Sequence, residues 1–198
     1  FEWGNGPAWD AALTYIPYFC YVLRGDRKII EENAMAIFRY CEYISRRRDE
    51  RGLVAIGLGD WCPVTRVKSP LEFTDSMTCL SILKKAAYIF SQLGLSLERE
   101  FCEKLYNEIR DAVRRHLIDF GTMTAIGSCQ TSQAMAIYYD VFNPGEKPDA
   151  FKRLLEIIKR RDDHVDAGIL GMRVLFRVLS DFGEADLAFK MITRPDYP

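Results

Sequence analysis

The sequence lacks the excess of basic charge that is typical of nucleic-acid-binding proteins, and it lacks the long apolar segments that are typical of membrane-spanning proteins. Its 198 residues carry a net charge of −1, so there is no excess of basic side chains to bind a nucleic acid or an anionic membrane surface. The apolar run from Ala11 to Leu23 is shorter than the roughly 20 residues of a membrane-spanning helix, and Pro17 interrupts it. We therefore predict a soluble globular protein that has neither a nucleic acid nor a membrane as its partner.

Cysteine and histidine are present, but they are not grouped as metal ligands would be. The sequence has 2 histidines, and no two of its 6 cysteines are closer than 17 residues, so no CxxC pair occurs. A structural zinc site lacks ligands, and we expect no metal or other cofactor. Most of the cysteines fall within helical patterns, which favours buried free thiols and a reducing compartment such as the cytoplasm over the periplasm or the cell exterior. The cysteines are Cys20, Cys41, Cys62, Cys79, Cys102 and Cys129.

The apolar residues recur at intervals of three and four, which predicts helices throughout the chain. Leu97, Phe101, Leu105 and Ile109, for example, form one apolar stripe, while charged side chains fill the opposite side of the same segment. Glycines and an Asn-Pro-Gly sequence separate the helical segments. We predict eight helices, at residues 9–23, 26–49, 74–93, 97–119, 130–142, 149–163, 166–180 and 183–192.

Charge alternates from one predicted helix to the next. The first, third, fifth and seventh helices carry 8 charged side chains in 63 residues, whereas the second, fourth and sixth carry 31 in 62. A helix with few charges must be covered by protein on most sides, and the amphipathic helix after each one indicates an outer layer that meets water. This pattern predicts an all-α fold of antiparallel helical hairpins in two layers, as in an α/α barrel or toroid.

In such a toroid the starts of the inner helices converge at one mouth, so these starts are candidates for a binding site. Each carries a polar residue that helix capping alone would explain, namely Asp10, Thr74, Thr131 and Asp166. Capping does not explain Trp9 and Trp61, which lie next to Asp10 and Asp60. A flat apolar ring beside hydrogen-bonding groups is common in sites that hold a sugar, although tryptophan also serves plain packing.

His164 is a further candidate from residue chemistry. It follows Asp162 and Asp163 and precedes Asp166, so carboxylates lie close to it in the sequence. This histidine could donate to a ligand hydroxyl, or it could be a surface residue at a helix end. The sequence contains no G-x-S-x-G, no phosphate-binding loop and no H-E-x-x-H, which removes the commonest serine hydrolase, nucleotide-binding and metalloprotease interpretations.

Five short stretches at or near these helix starts resemble the catalytic domain of bacterial α-L-rhamnosidases, the six-hairpin (α/α)6 glycosidases of family 78. They occur in the family's order and at the spacing of helical hairpins, over nearly the whole chain. One departure is that Trp9 and Asp10 are adjacent, whereas the family usually has a glycine between them. The stretches are Pro7–Ala12 followed by Pro17, Gly57–Trp61, Gln130–Ala134, His164 with Gly168–Gly171, and Ala185–Ala188 leading to Tyr197 and Pro198.

The resemblance implies an inverting glycoside hydrolase that removes terminal α-L-rhamnose from glycosides or polysaccharides, so a rhamnose-containing carbohydrate is the expected partner. One carboxylic acid would protonate the leaving oxygen, and a second carboxylate would activate water. In the family the acid precedes the first of these helices and the base follows the Tyr-Pro segment. We therefore expect residues 1–198 to be the central portion of one catalytic domain, about four of six hairpins, with no catalytic residue and no activity of its own. The sequence of Arg48–Arg51 is similar to the motif that carries the acid in the family. It follows the second predicted helix, however, whereas the family's motif precedes the first.

The resemblance also implies a wall of residues that holds the sugar. Its two tryptophans would lie against the rhamnose ring and its methyl group, and its two aspartates would bond hydroxyls or fix the loops. A glutamine and a histidine would add further contacts. The expected substrate-binding residues are Trp9, Asp10, Asp60, Trp61, Gln133 and His164.

Two other interpretations stay open at this point. Helical hairpins in series are also typical of non-enzymatic adaptors that bind a protein, although the helix pairs here start at unequal intervals and show no fixed repeat. Another (α/α)6 enzyme, a hydrolase or lyase acting on uronic acids, would share the fold. An incomplete barrel would also have open edges, so we expect the isolated chain to self-associate.

Overall fold

The computed structural model describes residues 6–66 and 68–196, and these residues are mainly helical, as the apolar spacing predicts. Within them the chain forms nine helices and one short β hairpin. The helices are α1 Pro7–Asp10, α2 Ala12–Arg24, α3 Arg27–Arg46, α4 Leu71–Leu93, α5 Ser96–Leu117, α6 Gln130–Tyr138, α7 Lys147–Lys159, α8 Ile169–Asp181 and α9 Ala185–Ile192. The antiparallel strands are β1 Ile118–Asp119 and β2 Thr124–Ala125. The predicted all-α class is confirmed.

The chain divides into two compact units, which are described separately. The first contains the residues up to Gly57 together with Asp75–Ala112, and the second contains Leu58–Thr74 together with the residues from Val113 onward. The segment Leu58–Thr74 therefore belongs with elements that come much later in the sequence.

In the first unit, α3 buries one face and exposes the other. Asp26 starts this helix, because its carboxylate accepts a hydrogen bond of 3.2 Å from the N–H of Ile29. The ring of Phe38 packs edge-on against Phe90 of α4 and Phe101 of α5. The buried residues of α3 recur at intervals of three or four and are Ile30, Ala34, Ile37, Cys41 and Ile44.

In the second unit, α6 is enclosed by protein. Every residue from Gln130 to Ile137 is buried, and the helix packs against both α7 and α8. α8 also contacts α9, and the rings of Phe151 and Phe182 stack with their centroids 4.3 Å apart. A charged side chain on such a helix would have to give up its hydration, which explains why the predicted fifth helix has so few charges.

Several helix boundaries differ from the sequence prediction by two to four residues, and at two places the structure shows why. The predicted helix 9–23 is interrupted at Ala11, whose carbonyl accepts from the N–H groups of both Thr14 and Tyr15. The predicted helix 97–119 ends earlier, because its last residues enter the β hairpin. There the carboxylate of Asp119 accepts from the N–H of Gly121 at 2.9 Å and from the hydroxyl of Thr122 at 2.7 Å, which turns the chain.

All six cysteine thiols are free, as predicted. Four of them are buried, Cys20 is half-buried and Cys62 is exposed. In the described ranges, no group of three or more His, Cys, Asp or Glu side chains is placed to hold a metal ion. The helices within these ranges are also too short or too polar to span a membrane.

Candidate functional site

In the second unit, the carboxylate of Asp60 joins three separate segments of the chain. Its Oδ1 accepts hydrogen bonds from the N–H groups of Leu170 at 2.9 Å and Gly171 at 3.1 Å. Its Oδ2 accepts from the N–H of Gly168 at 2.8 Å and from the hydroxyl of Thr131 at 2.5 Å. A carboxylate has about four acceptor positions, so protein donors occupy this one fully. Of the two roles that the sequence predicted for Asp60, the structure shows the fixing of loops.

These contacts complete the start of α8. The first N–H groups of a helix have no partner within the helix and form its positive end, so a carboxylate is stabilising there. The sequence prediction gave this task to Asp166, but α8 begins at Ile169 and is capped from Asp60. Asp166 instead accepts from the hydroxyl of Thr65 at 3.2 Å and forms ion pairs with Lys68 and, at 3.1 Å, with Arg161.

The backbone next to Asp60 is equally constrained. The carbonyl of Trp61 accepts from the N–H of Ile169 at 2.8 Å. A side chain at Gly168 would place its Cβ 2.5 Å from that carbonyl oxygen, so only glycine fits there. Trp61 itself is 52% exposed, whereas Asp60 is 3% exposed. A fixed backbone therefore presents a half-exposed aromatic ring.

Gln133, expected from the sequence to contact the ligand, is completely buried. Its Oε1 accepts from the N–H of Ala125 at 2.8 Å, and its Nε2 donates to the carbonyls of Met123 at 2.8 Å and Ala150 at 2.9 Å. The amide therefore ties the β hairpin to α6 and α7. These contacts support a structural role rather than ligand binding.

His164 lies in the middle of the loop between α7 and α8. Its Nδ1 is 2.9 Å from the carbonyl of Arg161, and its Nε2 is 3.5 Å from the carboxylate of Asp196. The guanidinium of Arg194 bonds this carboxylate at 2.9 and 2.7 Å and holds the pKa of Asp196 well below its usual range. His164 thus lies in a charged cluster, partly exposed.

In the first unit, Trp9 and Asp10 lie together at the end of α1, and both are half-buried. The carbonyl of Gly6 accepts from their N–H groups, at 3.1 Å for Trp9 and 3.0 Å for Asp10. The Oδ2 of Asp10 accepts a hydrogen bond of 3.0 Å from the hydroxyl of Tyr40. Burial and, after it, the charge of Asp10 raise the pKa of Tyr40, which keeps its hydroxyl protonated as a donor. Asp10 therefore does not cap a helix, contrary to the simplest expectation from the sequence.

Sequence analysis did not single out Asp75, which is completely buried on α4 in the first unit. Its Oδ2 accepts from the N–H groups of Ile56 at 2.8 Å and Gly57 at 2.6 Å. Burial raises the pKa of Asp75 to about 6, although these two hydrogen bonds act in the opposite direction. Burial raises the pKa of the Cys79 thiol, and the negative charges of Asp75 and Asp10 raise it further. The sequence did contain a signal that could have identified Asp75, because it is the single charged residue in the helical stretch from Phe73 to Leu83.

The contacts of Asp60 bring together three of the five stretches that carry the family resemblance, namely Gly57–Trp61, Gln130–Ala134 and Gly168–Gly171. The first stretch, with Trp9 and Asp10, lies in the other unit. In the fifth, Tyr197 and Pro198 lie outside the described residues.

Comparison with known proteins shows that the chain is similar to alpha-L-rhamnosidases. A sequence model described as the bacterial alpha-L-rhamnosidase 6 hairpin glycosidase domain matches residues 2–198. An alpha-L-rhamnosidase of Formosa agariphila is 27% identical to this chain over 96% of the chain's length. The chain spans 21% of the length of that relative.

Two solved structures are similar in fold. The α-L-rhamnosidase from Dictyoglumus thermophilum is 26% identical with a TM-score of 0.87, over 98% of this chain and 23% of that one. The alpha-L-rhamnosidase of Streptomyces avermitilis, complexed with L-rhamnose, is 23% identical with a TM-score of 0.84, over 94% of this chain and 18% of that one. The predicted fold class, part of an (α/α)6 toroid of helical hairpins, is thereby confirmed. Because the family match extends over nearly its whole length, this chain belongs to the bacterial α-L-rhamnosidase six-hairpin glycosidase domain family.

Proposed function

We propose that this chain is the central portion, about four of six hairpins, of the catalytic domain of an enzyme that removes terminal α-L-rhamnose from glycosides or polysaccharides. The observation that carries the proposal is the family match over residues 2–198. The curated relative from Formosa agariphila, which is itself an alpha-L-rhamnosidase, supports the same activity.

The part of the function that we assign to this chain is to hold the sugar. Trp61 offers a half-exposed ring on a backbone that Asp60 fixes, and such a ring suits the apolar face and methyl group of a 6-deoxy sugar. Trp9 and Asp10 are proposed as a second set of contacts, with the carboxylate of Asp10 accepting from sugar hydroxyls. His164 remains a proposed contact, whereas Asp60 and Gln133 act by holding loops in place.

The reaction itself needs two further carboxyl groups. An inverting glycosidase uses one carboxylic acid to protonate the leaving oxygen and one carboxylate to activate water, and the two groups stand roughly 6.5–9.5 Å apart so that the water fits between sugar and base. We propose that both groups lie outside residues 1–198. On this proposal the chain alone binds without cleaving, and the Arg48–Arg51 sequence takes no part in catalysis.

Hydrolysis of 4-nitrophenyl α-L-rhamnopyranoside tests the proposal in the full-length protein and in the 198-residue chain. We expect release of nitrophenol by the full-length protein alone, with the matching α-D-mannoside and α-L-fucoside as poor substrates. Activity of the isolated chain would contradict the assignment of the carboxylates and would draw attention to Glu50. If neither protein acts on the rhamnoside, the proposed activity is wrong.

A pair of variants tests the sugar-holding role. Trp61→Ala in the full-length protein should raise KM about tenfold, because a stacked ring is lost. Leu58→Ala is the matched control, since Leu58 lies on the same loop and is 48% exposed. An equal effect of both substitutions would indicate a general disturbance of the loop.

A further inference from the structure

Asp75 carries an ionisable carboxyl group in a fully buried part of α4, where a charge has a high desolvation cost. Every residue from Phe73 to Leu83 is buried, and Asp75 is the single charged side chain among them. Burying a carboxylate costs free energy unless hydrogen bonds compensate. The contacts of Asp75 therefore indicate why a carboxylate is kept there.

The carboxylate holds a turn of the backbone. Its Oδ2 accepts from both Ile56 and Gly57, at 2.8 and 2.6 Å. Gly57 lies directly on the carboxylate, because a Cβ at this position would be 2.9 Å from Oδ1. The next residue of α4, Ser76, accepts from the N–H of Val54 at 3.0 Å, so two adjacent side chains hold the same segment at different points.

Gly6 packs directly against this turn. A Cβ at Gly6 would be 2.1 Å from the Cα of Gly57, and the φ angle of Gly6 is +71°, so both the space and the backbone require glycine. The carbonyl of Gly6 in turn accepts from the N–H groups of Trp9 and Asp10. Packing and hydrogen bonds thus connect Asp75 continuously to the two residues that we propose as sugar contacts.

We propose that Asp75 is a positioning residue for the sugar site: it fixes the Ile56–Gly57 turn on which Gly6 rests, and thereby sets where Trp9 and Asp10 lie. It acts through the backbone and does not touch the sugar. This inference rests on the proposed function, because it assigns Trp9 and Asp10 to substrate binding.

Three variants of the full-length protein test the role of Asp75. Asp75→Ala removes the acceptor for both N–H groups and should raise KM for the nitrophenyl rhamnoside about tenfold, with a smaller change in kcat. Asp75→Asn should restore KM to within about threefold of wild type, because its amide oxygen can accept from the same two N–H groups. Ser76→Ala should leave KM unchanged, since it loosens Val54 alone. Equal KM values for Asp75→Ala and Ser76→Ala would overturn the proposal.

Hydrogen exchange gives a readout that does not depend on the substrate. Peptides covering residues 54–58 and 6–12 should both exchange faster in Asp75→Ala, and the second should be unchanged in Ser76→Ala. If exchange in residues 6–12 does not respond to Asp75→Ala, the positioning role is wrong, even where the rhamnoside is hydrolysed. If wild type hydrolyses no rhamnoside but exchange responds as expected, the proposed function has failed and the coupling between Asp75 and α1 stands.

A second route covers the case in which Asp75→Ala does not fold. Gly6→Ala places a methyl group in the same contact without changing Asp75, and it should raise KM to a similar extent. An unchanged KM in a folded Gly6→Ala variant would also overturn the proposal.

Discussion

The hydroxyl of Thr131 donates a hydrogen bond of 2.5 Å to the carboxylate of Asp60, a residue 71 positions earlier in the chain. The same carboxylate accepts three N–H groups at the start of α8. One side chain thus holds together a loop and two helices. Because Trp61 follows directly, its backbone is fixed by the same contacts.

Thr131→Val removes the hydroxyl donor while keeping the shape of the side chain. We expect the free energy of unfolding to fall by about 1–3 kcal/mol, because a charged, buried acceptor loses a partner. Thr131→Ser keeps the hydroxyl and should cost less than about 1 kcal/mol. Urea denaturation measures both values. Equal losses would mean that the methyl group, not the hydrogen bond, matters at this position.

Gln133→Met tests whether this residue is structural. The substitution leaves the N–H of Ala125 and the carbonyls of Met123 and Ala150 without their partner, so the free energy of unfolding should fall by about 2–4 kcal/mol. KM for the rhamnoside should not change in the folded protein. A raised KM with unaltered stability would instead support the sugar contact predicted from the sequence.

Asp75 gives the protein a pH-dependent stability. Its pKa in the folded state, about 6, lies above the ordinary value of 3.8. The stability that this group contributes is therefore fully present below pH 3.8 and is lost as the pH rises through about 6, by up to about 3 kcal/mol. The Asp75→Asn variant does not lose stability in this way, because the asparagine side chain does not titrate. The free energy of unfolding of the variant minus that of wild type should thus increase by about 3 kcal/mol from low pH to pH 7, and a constant difference would contradict the raised pKa.

Cys62 offers a chemical probe next to Trp61. It is the exposed thiol of the six, whereas burial raises the pKa of the Cys79 and Cys129 thiols and so lowers their reactivity. Iodoacetamide followed by peptide mapping should label Cys62 first, and L-rhamnose should slow this labelling if the sugar lies against Trp61. Equal labelling of Cys129 in the native protein would show that the second unit opens readily.

The exposed face of α2 leads us to expect that the isolated chain self-associates. Ile16, Phe19 and Leu23 recur at three and four positions on this face, and Leu23 is 76% exposed. Light scattering should show the 198-residue chain as larger than a monomer, and Leu23→Lys should reduce its size. A monomeric wild-type chain with little binding of a hydrophobic dye would contradict this expectation.

The fold was largely predictable from the sequence, whereas the partners of the site residues were not. Helix positions follow from apolar spacing, and the enclosure of α6 follows from its low charge, because both are local patterns. The partners of Asp60 are 71 to 111 residues away, so no local pattern could show that it caps α8 in place of Asp166. The three protein partners of Gln133 were equally hidden from sequence analysis, since a glutamine near a helix start reads the same whether its amide faces a ligand or the interior.

The membership of Leu58–Thr74 in the second unit has a consequence for synthesis on the ribosome. This segment emerges before α5, and the Asp60 carboxylate stays hydrated by water until α6 and then α8 have been made and supply its protein partners. The first unit has all its residues available once Ala112 has emerged, so it can fold while the second is still being translated. The loop that carries Trp61 is therefore among the last parts of the chain to acquire its final position.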